Sequence, residues 1–416
     1  MWGFYFFGAL LVWQGAVSLL GGWRYWLYFR HEMARPPAEF TPRASVIVPC
    51  RGVDQGLREN SSAIFGQNYP EFEIVFVADH ADDPALKIVE EARLVWENVR
   101  PPSTRVIIAG AAIDSGQKVH NLIAAVQATD PASEVLVFVD TDARPHTDWL
   151  RALVAPLADV GVGAATGYRW FVPVRGGLSS HLRAVWNASI ASALGARRER
   201  NFCWGGSTAI RHKTFEKLEM LERWRGTLSD DFALTNALQA ANLPVHFVPQ
   251  CLTASFEDCT FGELLKFTTR QVKITRVYAP HLWKFVLAGN LLFVTTFFGG
   301  LALVISRAGR GESFAIPLSI LVTIFLLGVG KAFLRLRAVS QVLTPGGVRL
   351  SAAHYLAHLT LWPLTAALYL YNAIAAGFSR RITWRGITYE LQSPTQTNIV
   401  SISHLTDNMT ECERLR

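Results

Sequence analysis

Four long stretches without a charged side chain constrain this sequence more than any other feature. They cover residues 1–22, 285–306, 314–330 and 355–378. Each is close to the roughly 17–25 residues that a membrane-spanning helix needs. Only 18% of the chain is charged, against about a quarter in soluble proteins, and most charges fall within residues 23–284. The sequence therefore predicts one N-terminal helix (1–22), a soluble domain and about three helices within residues 285–378.

The first apolar run is typical of an uncleaved anchor rather than of a signal peptide. No basic residue precedes it, and aromatic residues of the kind that line a membrane interface follow it, among them Trp23 and Trp26. Basic residues cluster directly after it, at Arg24, Arg30, Arg35 and Arg43. The positive-inside rule then places the soluble domain in the cytoplasm.

The C-terminal arginines conflict with four simple crossings. With the N-terminus outside, four spans would leave Arg380, Arg381 and Arg385 outside as well. Either the last apolar segment is re-entrant or these residues tolerate the exterior. The C-terminal segment 379–416 ends in a tail, Gln392 to Arg416, that is polar and lacks apolar periodicity, so we expect this tail to be mostly unstructured.

The soluble domain, residues 40–260, has the pattern of an α/β fold. Four short, continuously apolar runs alternate with segments of helical periodicity: ASVIVP, IVFVAD, TRVIIAG and EVLVFVD. This order predicts a parallel sheet covered by helices on both faces. Ligands of such sheets bind beyond the carboxyl ends of the strands. No GxGxxG or Walker signature is present, which excludes an ordinary dinucleotide or P-loop domain.

Acidic residues lie at these strand ends. Asp79 ends the second run, and Asp140 and Asp142 follow the fourth. Two carboxylates at that spacing can reach one hard cation, so we expect Mg²⁺ or Mn²⁺ there. The alternative for Asp142 is a cap on the turn near Pro145.

A second acidic pair, Asp230 and Asp231, precedes a run with helical periodicity. Either residue could cap that helix by accepting its free amide groups. The other would then be available as a general base.

The ordered set of motifs resembles a family-2-type glycosyltransferase with the GT-A fold, and is most similar to ceramide glucosyltransferase and its bacterial relatives. The segments that carry this resemblance are VADHADDPA, KVHNL, FVDTDARP, CWGGSTAIRHKTFEKL, SDDFALTNAL, RQVKITR and ITWRGITYEL. The likeness covers nearly the whole chain, including the apolar segments.

The resemblance implies a role for each acidic residue. Asp79 would contact the donor nucleoside. Asp140 would lie at the metal–diphosphate site, with Asp142 as the second metal ligand. Asp231, beside Asp230, would deprotonate the acceptor hydroxyl.

Three further residues would contact the donor under the same resemblance. Lys118 begins a helix that faces the strand ends, although a solvated lysine is the alternative. Pro49 and Arg51 follow the first strand and would flank the nucleobase.

The acceptor side is expected to involve two segments. Trp204, Gly205 and Gly206 offer an aromatic face for a sugar and close backbone approach, with a plain turn as the alternative. The other segment, residues 261–284, has basic residues among apolar ones at helical spacing, which is typical of an amphipathic helix at a membrane interface.

This second segment departs from the family. Its basic and polar positions are Arg270, Gln271, Lys273 and Arg276. Where the family has an (Arg/Gln)-x-x-Arg-Trp signature, this chain has Lys273 and Ile274 in place of the arginine and tryptophan. Lys273 can still supply charge to a phosphate, as a point charge rather than a planar fork. The missing tryptophan changes how the acceptor site is walled, and hence which lipid binds.

The resemblance implies a membrane-bound inverting enzyme that transfers a hexose, glucose from UDP-glucose, to ceramide. The acceptor could instead be a hopanoid, a diacylglycerol or a polyprenyl phosphate, with another UDP-sugar as donor. A non-catalytic protein that binds sugar nucleotides is the alternative from another class. The net charge of +7 is explained by anionic lipid headgroups, and no nucleic-acid-binding motif is present.

Overall fold

The computed structural model describes residues 2–35, 38–97, 99 and 102–402. The chain forms two compact units. The α/β unit consists of Arg35–Trp170, Leu194–Phe256 and the chain from Arg380 onward. The helical unit consists of the chain up to Ala34, Phe171–Ala193 and Glu257–Ser379.

The four predicted strands are present and parallel. They are β1 (Ala44–Pro49), β2 (Phe72–Ala78), β3 (Ser103–Ile108) and β4 (Val135–Val139). They alternate with α2 (Leu57–Phe65), α3 (Pro84–Trp96) and α4 (Gln117–Gln127). β1 lies between β2 and β4, and Ala44 pairs with both Phe72 and Val135. The carboxyl ends of these strands therefore meet at one edge, as the sequence predicts.

The second half of the sheet is antiparallel, so the sheet is mixed rather than fully parallel. Its elements are α5 (Trp149–Val154), β5 (Ala164–Val172), β6 (Ser207–Arg211), α7 (His212–Lys217), α8 (Met220–Trp224), α9 (Asp230–Ala240) and β7 (Val245–Phe256). The strand order is β3-β2-β1-β4-β6-β5-β7. β6 runs antiparallel to both β4 and β5.

The start of α4 is fixed by close packing rather than by a side-chain cap. Gly116 is the N-cap, and no side chain caps this helix. A Cβ on Gly116 would lie 3.0 Å from Leu228 O, which is tighter than ordinary van der Waals contact, so close packing favours glycine here. The Gly116 amide donates to Thr227 O at 2.8 Å, which ties α4 to the loop before α9.

A second sheet of three antiparallel strands follows in the α/β unit. Its strands are β8 (Arg381–Trp384), β9 (Ile387–Ser393) and β10 (Gln396–Ile402). The expectation of an unstructured tail from Gln392 is therefore wrong as far as Ile402, and residues 403–416 lie outside the described residues. Alternate residues of β9 are buried, while β10 is mostly polar and gains its order by pairing with β9. Apolar content alone does not signal such a strand.

The helical unit contains seven helices in the described residues. They are α1 (Trp2–Ala34), α6 (Leu178–Ala191), α10 (Phe261–Tyr278), α11 (Pro280–Gly309), α12 (Ala315–Leu343), α13 (Ala352–Thr360) and α14 (Trp362–Phe378). Three of them, α1, α11 and α12, are long and apolar enough to cross a membrane. The first helix has 33 residues and thus extends well beyond the predicted 1–22.

The last predicted span is not one straight helix. α13 and α14 form a pair bent by 62°. Pro363 lies in the first turn of α14, where it has no amide hydrogen to continue the hydrogen bonding of α13. Two straight helices and one bent pair therefore occupy the region where about three were expected.

The amphipathic segment forms a helix through Tyr278. Thr260 and Glu263 make a capping box at the start of α10. The rest of the predicted segment 261–284, including Trp283, belongs to α11. Its position at a membrane interface stays a prediction.

Candidate active site

The loop after β1 meets the acid that ends β2. Pro49 closes β1 opposite Val77, and Arg51 follows. The Arg51 guanidinium forms an ion pair with Asp79, whose side chain is 1% exposed. The structure thus brings these three predicted donor residues together, and their contact with a nucleoside stays a prediction.

Lys118 connects the two acidic regions of the site. Its Nζ lies 2.8 Å from Asp140 Oδ1 and 3.3 Å from Asp230 Oδ1. Burial alone would lower the pKa of Lys118, but the charges of Asp140 and Asp230 hold it above its ordinary value. A solvated lysine is excluded, because this side chain is only 14% exposed and lies between two carboxylates.

Arg169 of β5 neutralises the Asp140/Asp142 pair from the other side. Its Nη1 donates to Asp142 Oδ2 at 2.8 Å, and its Nη2 lies 4.0 Å from Asp140 Oδ2. Although burial raises the pKa of Asp140, Lys118 and Arg169 hold it below its ordinary value. Burial raises the pKa of Asp142, and the neighbouring Asp140 raises it further despite Arg169. Asp142 caps no turn here, so that alternative is wrong.

Arg169 was missed by sequence reasoning. Its guanidinium carbon lies 5.1 Å from the ring centroid of Trp204, over the aromatic face. The available signal was a single charge within the apolar strand Ala164–Val172.

The Trp204–Gly206 turn lies against the same cluster. A Cβ at Gly205 would collide with the Asp230 carboxylate and lie 2.8 Å from Lys118 Nζ. Gly206 lies against the Trp204 ring in the same way. Glycine is therefore required by close packing around the acids, which the plain-turn alternative does not explain.

The two acids of α9 have different surroundings. The N-cap is Ser229, whose side chain makes no cap bond, and Asp231 in the first turn accepts one of the free amide groups of the helix, that of Phe232. Asp230 is buried against Lys118, whereas Asp231 is half-buried and its Oδ1 accepts from Ser229 Oγ and from the Phe232 amide. Burial raises the pKa of Asp230 to about 6, because the effect of Lys118 does not fully offset it.

We expect this raised pKa to make stability depend on pH. Between about 3.8 and about 6 the folded protein binds more protons at Asp230 than the unfolded chain does, so the free energy of unfolding falls as pH rises through this window. The effect is on the order of 2 kcal/mol. The Tm of Asp230→Asn minus the Tm of wild type should therefore increase from pH 4 to pH 6 and then level off. The control is Asp148→Asn, which alters an exposed aspartate. If the Tm of Asp230→Asn and the Tm of wild type changed in parallel with pH, this would contradict the raised pKa of Asp230.

The site offers two acidic ligands to a cation. Asp142 Oδ1 is buried and has no hydrogen-bond partner within the described residues. No cluster of three or more His, Cys, Asp or Glu side chains with metal-binding geometry occurs in the part of the chain that the structure describes. Asp140 and Asp142 thus fit a cation that takes its other ligands from phosphate oxygens and water, as Mg²⁺ commonly does.

The predicted acceptor residues on α10 belong to the helical unit. Arg270 lies over the Phe267 ring at 5.6 Å, and Arg276 donates to Ala376 O. Gln271 and Lys273 lie on the same helix. Ile274, at the position of the family tryptophan, is buried in the helical unit. The acceptor role of these residues stays a prediction.

A mixed seven-stranded sheet with acids after β2 and β4 and at the start of α9 is the arrangement that the resemblance to GT-A glycosyltransferases implies. Residues 6–397 match the model of glycosyl transferase family 21. The chain belongs to this family and is a glycosyltransferase, which confirms the resemblance.

Similar proteins include one curated relative and several solved structures. A segment is 27% identical over 104 residues to ceramide glucosyltransferase 1 of Caenorhabditis elegans, covering 25% of this chain and 22% of that relative. The mannosyltransferase PcManGT of Pyrobaculum calidifontis, solved with GDP-Man and Mn²⁺, has a TM-score of 0.45 at 19% identity, covering 89% of this chain and 99% of that one. Glucosyl-3-phosphoglycerate synthase of Mycobacterium tuberculosis, solved with Mn²⁺ and UDP-glucose, has a TM-score of 0.35 at 15% identity, covering 56% of this chain and 77% of that one. Family membership, rather than these distant likenesses, identifies the class of reaction.

Proposed function

We propose that the protein transfers glucose from UDP-glucose to the primary hydroxyl of ceramide, with inversion at the anomeric carbon. The observation that carries this proposal is the position of Lys118, which holds Asp140 and Asp230 at one sheet edge. Lys118 thus links Asp140, at the end of β4, to α9, the helix that carries the expected base Asp231. Family 21 membership and the ceramide glucosyltransferase relative support the choice of acceptor.

On the donor side, Asp79, Arg51 and Pro49 would hold the nucleoside. The diphosphate would lie beside the Asp140/Asp142 pair, where Lys118 and Arg169 supply fixed positive charge. Such preorganised charge stabilises the negative charge that develops on UDP as the glycosidic bond to the donor breaks. Asp140 and Asp142 would hold Mg²⁺ or Mn²⁺, and the cation when bound would neutralise the same diphosphate.

On the acceptor side, Asp231 would take the proton of the attacking hydroxyl. Its carboxylate is oriented by the Ser229 hydroxyl and the Phe232 amide. The Trp204 face would support the sugar. Arg270, Gln271, Lys273 and Arg276 of α10 would guide the lipid headgroup at the cytoplasmic surface of the bilayer.

The test is nucleotide release by the full chain purified in detergent. UDP-glucose, UDP-galactose and UDP-N-acetylglucosamine are each supplied with and without ceramide and with and without Mn²⁺. We expect release from UDP-glucose that depends on Mn²⁺ and is stimulated by ceramide, together with glucosylceramide identified by mass spectrometry.

Other outcomes would change the proposal in defined ways. Stimulation by a hopanoid, a diacylglycerol or a polyprenyl phosphate instead of ceramide would reassign the acceptor. Preference for another UDP-sugar would reassign the donor. Donor binding without transfer to any of these lipids would favour a non-catalytic protein that binds sugar nucleotides.

A further inference from the structure

The turn between β8 and β9 has an unusual residue in a left-handed conformation. Trp384 pairs with Ile387, which leaves a two-residue turn of Arg385 and Gly386. Their φ angles are +47° and +78°. Turns of this kind strongly favour Asn-Gly or Asp-Gly, and an arginine at the first position is strained. Local strain of this sort persists only where surrounding contacts hold it.

Reciprocal contacts with the loop after β1 hold the Arg385 turn. The Arg51 Nε donates to Arg385 O at 3.1 Å, and Arg385 Nη1 donates to Arg51 O. Arg385 Nη2 lies 2.6 Å from Asp54 Oδ1. One side chain thus binds both the backbone and a carboxylate of the same loop.

That loop connects the two acidic positions of the donor side. At one end, the Arg51 guanidinium pairs with Asp79. At the other end, Thr141 Oγ1, between the two metal-site acids, donates to Asp54 Oδ2 at 2.5 Å. A continuous chain of polar contacts therefore runs from Asp79 to Thr141, the residue between Asp140 and Asp142, and Arg385 is its central member.

The charge of Arg385 also acts on the acids. Burial alone would lower the pKa of Arg385, but Asp54, Asp142 and Asp140 raise it above its ordinary value. Arg385 in turn helps to lower the pKa of Asp140 after burial has raised it. The turn residue therefore belongs electrostatically to the donor site.

The same small sheet contacts the rest of the α/β unit at two more places. The Gln117 amide, at the start of α4, donates to Tyr389 OH at 3.2 Å. A Cβ at Gly226, just before α9, would collide with Thr395 O. The C-terminal sheet thus touches the three segments that carry Arg51, Lys118 and Asp230.

We propose that the C-terminal sheet completes the sugar-nucleotide site, and that Arg385 is a positioning residue that fixes the Arg51–Asp54 loop between Asp79 and the Asp140/Asp142 pair. This inference rests on the proposed function as a nucleotide-sugar enzyme. It adds to the site a sheet whose last strand lies in the tail that the sequence predicted to be unstructured from Gln392 onward.

The experiment measures UDP affinity in the presence of Mn²⁺ by isothermal titration on the full chain in detergent. Arg385→Asn suits the left-handed turn but removes both guanidinium contacts. We expect a loss of affinity of about tenfold or more, since hydrogen bonds to charged groups are lost. Arg385→Lys, which keeps the charge but lacks the fork, should lose less affinity. The matched control is Arg381→Asn, which removes an exposed arginine of the same hairpin paired with Glu390.

Two further readouts separate positioning from general destabilisation. In the transfer assay, Arg385→Asn should raise the donor KM while kcat stays within about twofold of wild type. If Arg385→Asn fails to fold, Asp54→Asn removes the same contact from the other side with little change in shape, and should cause the same loss of affinity. UDP affinity equal to wild type in a folded Arg385→Asn or Asp54→Asn variant would overturn the inference. Failure of the wild-type protein itself to bind UDP would instead refute the proposed donor class, and the inference with it.

Discussion

Replacing Asp231 with asparagine should lower kcat for transfer by about 10²–10⁴-fold while UDP affinity and Tm stay near wild type. The expected loss is large because a general base acts only as the acceptor hydroxyl attacks. The substitution removes the proton acceptor but keeps the shape of the side chain. Product formation and isothermal titration of UDP, measured on the same preparation, check this result.

Geometry separates Asp231 from its neighbour. Successive helical residues are rotated by about 100°, so the two carboxylates leave the start of α9 in different directions. Asp230 faces Lys118 and the Gly205 backbone, where it is buried. Asp231 is half-buried, and its Oδ1 is fixed by Ser229 and by the Phe232 amide. Under the proposed function, Asp230 would therefore support the donor site, and Asp231 would meet the acceptor.

Two variants serve as controls for this assignment. Ser229→Ala keeps the base but removes a hydroxyl that orients it, so its effect on kcat should be smaller than that of Asp231→Asn. Asp230→Asn should weaken UDP binding, because it frees Lys118 from one of its two partners. If Asp231→Asn retained transfer and Asp230→Asn lost it with UDP affinity intact, the base would be Asp230.

Removing either metal-site acid should lower Mn²⁺-dependent UDP affinity by at least about 10²-fold, since even supporting residues around a metal typically contribute 10–100-fold. Asp142→Asn can still contact Arg169. The loss of UDP affinity in this variant therefore reports mainly on the buried Asp142 Oδ1, which has no hydrogen-bond partner among the described residues. Asp140→Asn should have the larger effect, because it also releases Lys118.

The measurement is UDP titration with increasing Mn²⁺, repeated after treatment with EDTA. EDTA should reduce UDP affinity strongly in the wild-type protein and little further in Asp142→Asn. Asp148→Asn, six residues along the same loop and exposed, is the matched control. A wild-type affinity that is insensitive to both EDTA and Asp142→Asn would show that Lys118 and Arg169 hold the diphosphate without a divalent cation.

Much of the donor side could be predicted because it depends on local pattern and on one rule of sheet geometry. Apolar runs fix β1, β2 and β4, and parallel strands bring Asp79 and Asp140 to one edge. The helical period likewise fixes α4 and hence the position of Lys118. These features need no knowledge of distant parts of the chain.

The residues that sequence reasoning missed depend on long-range pairing. Arg169 reaches Asp142 only because β5 is added to the sheet beyond β6, an antiparallel arrangement that local periodicity does not encode. Arg385 reaches Asp54 across 331 residues of sequence. β10 is too polar to be recognised without its partner β9. The bend after α13, in contrast, had a local signal in Pro363.

The strand arrangement of the α/β unit also constrains how many times the chain can cross a membrane. Strands β1–β7 and β8–β10 belong to one folded unit, although the chain between them passes through α11, α12 and the bent pair. A folded unit lies on one side of a bilayer, so a membrane-embedded chain from Glu257 to Ser379 would cross an even number of times. If α11 and α12, which are long and apolar enough, supply two crossings, the bent α13–α14 pair would enter and leave on the same side. Arg380, Arg381 and Arg385 would then lie on the same side as Arg35 and Arg43, which follow α1, and their conflict with the positive-inside rule would be removed.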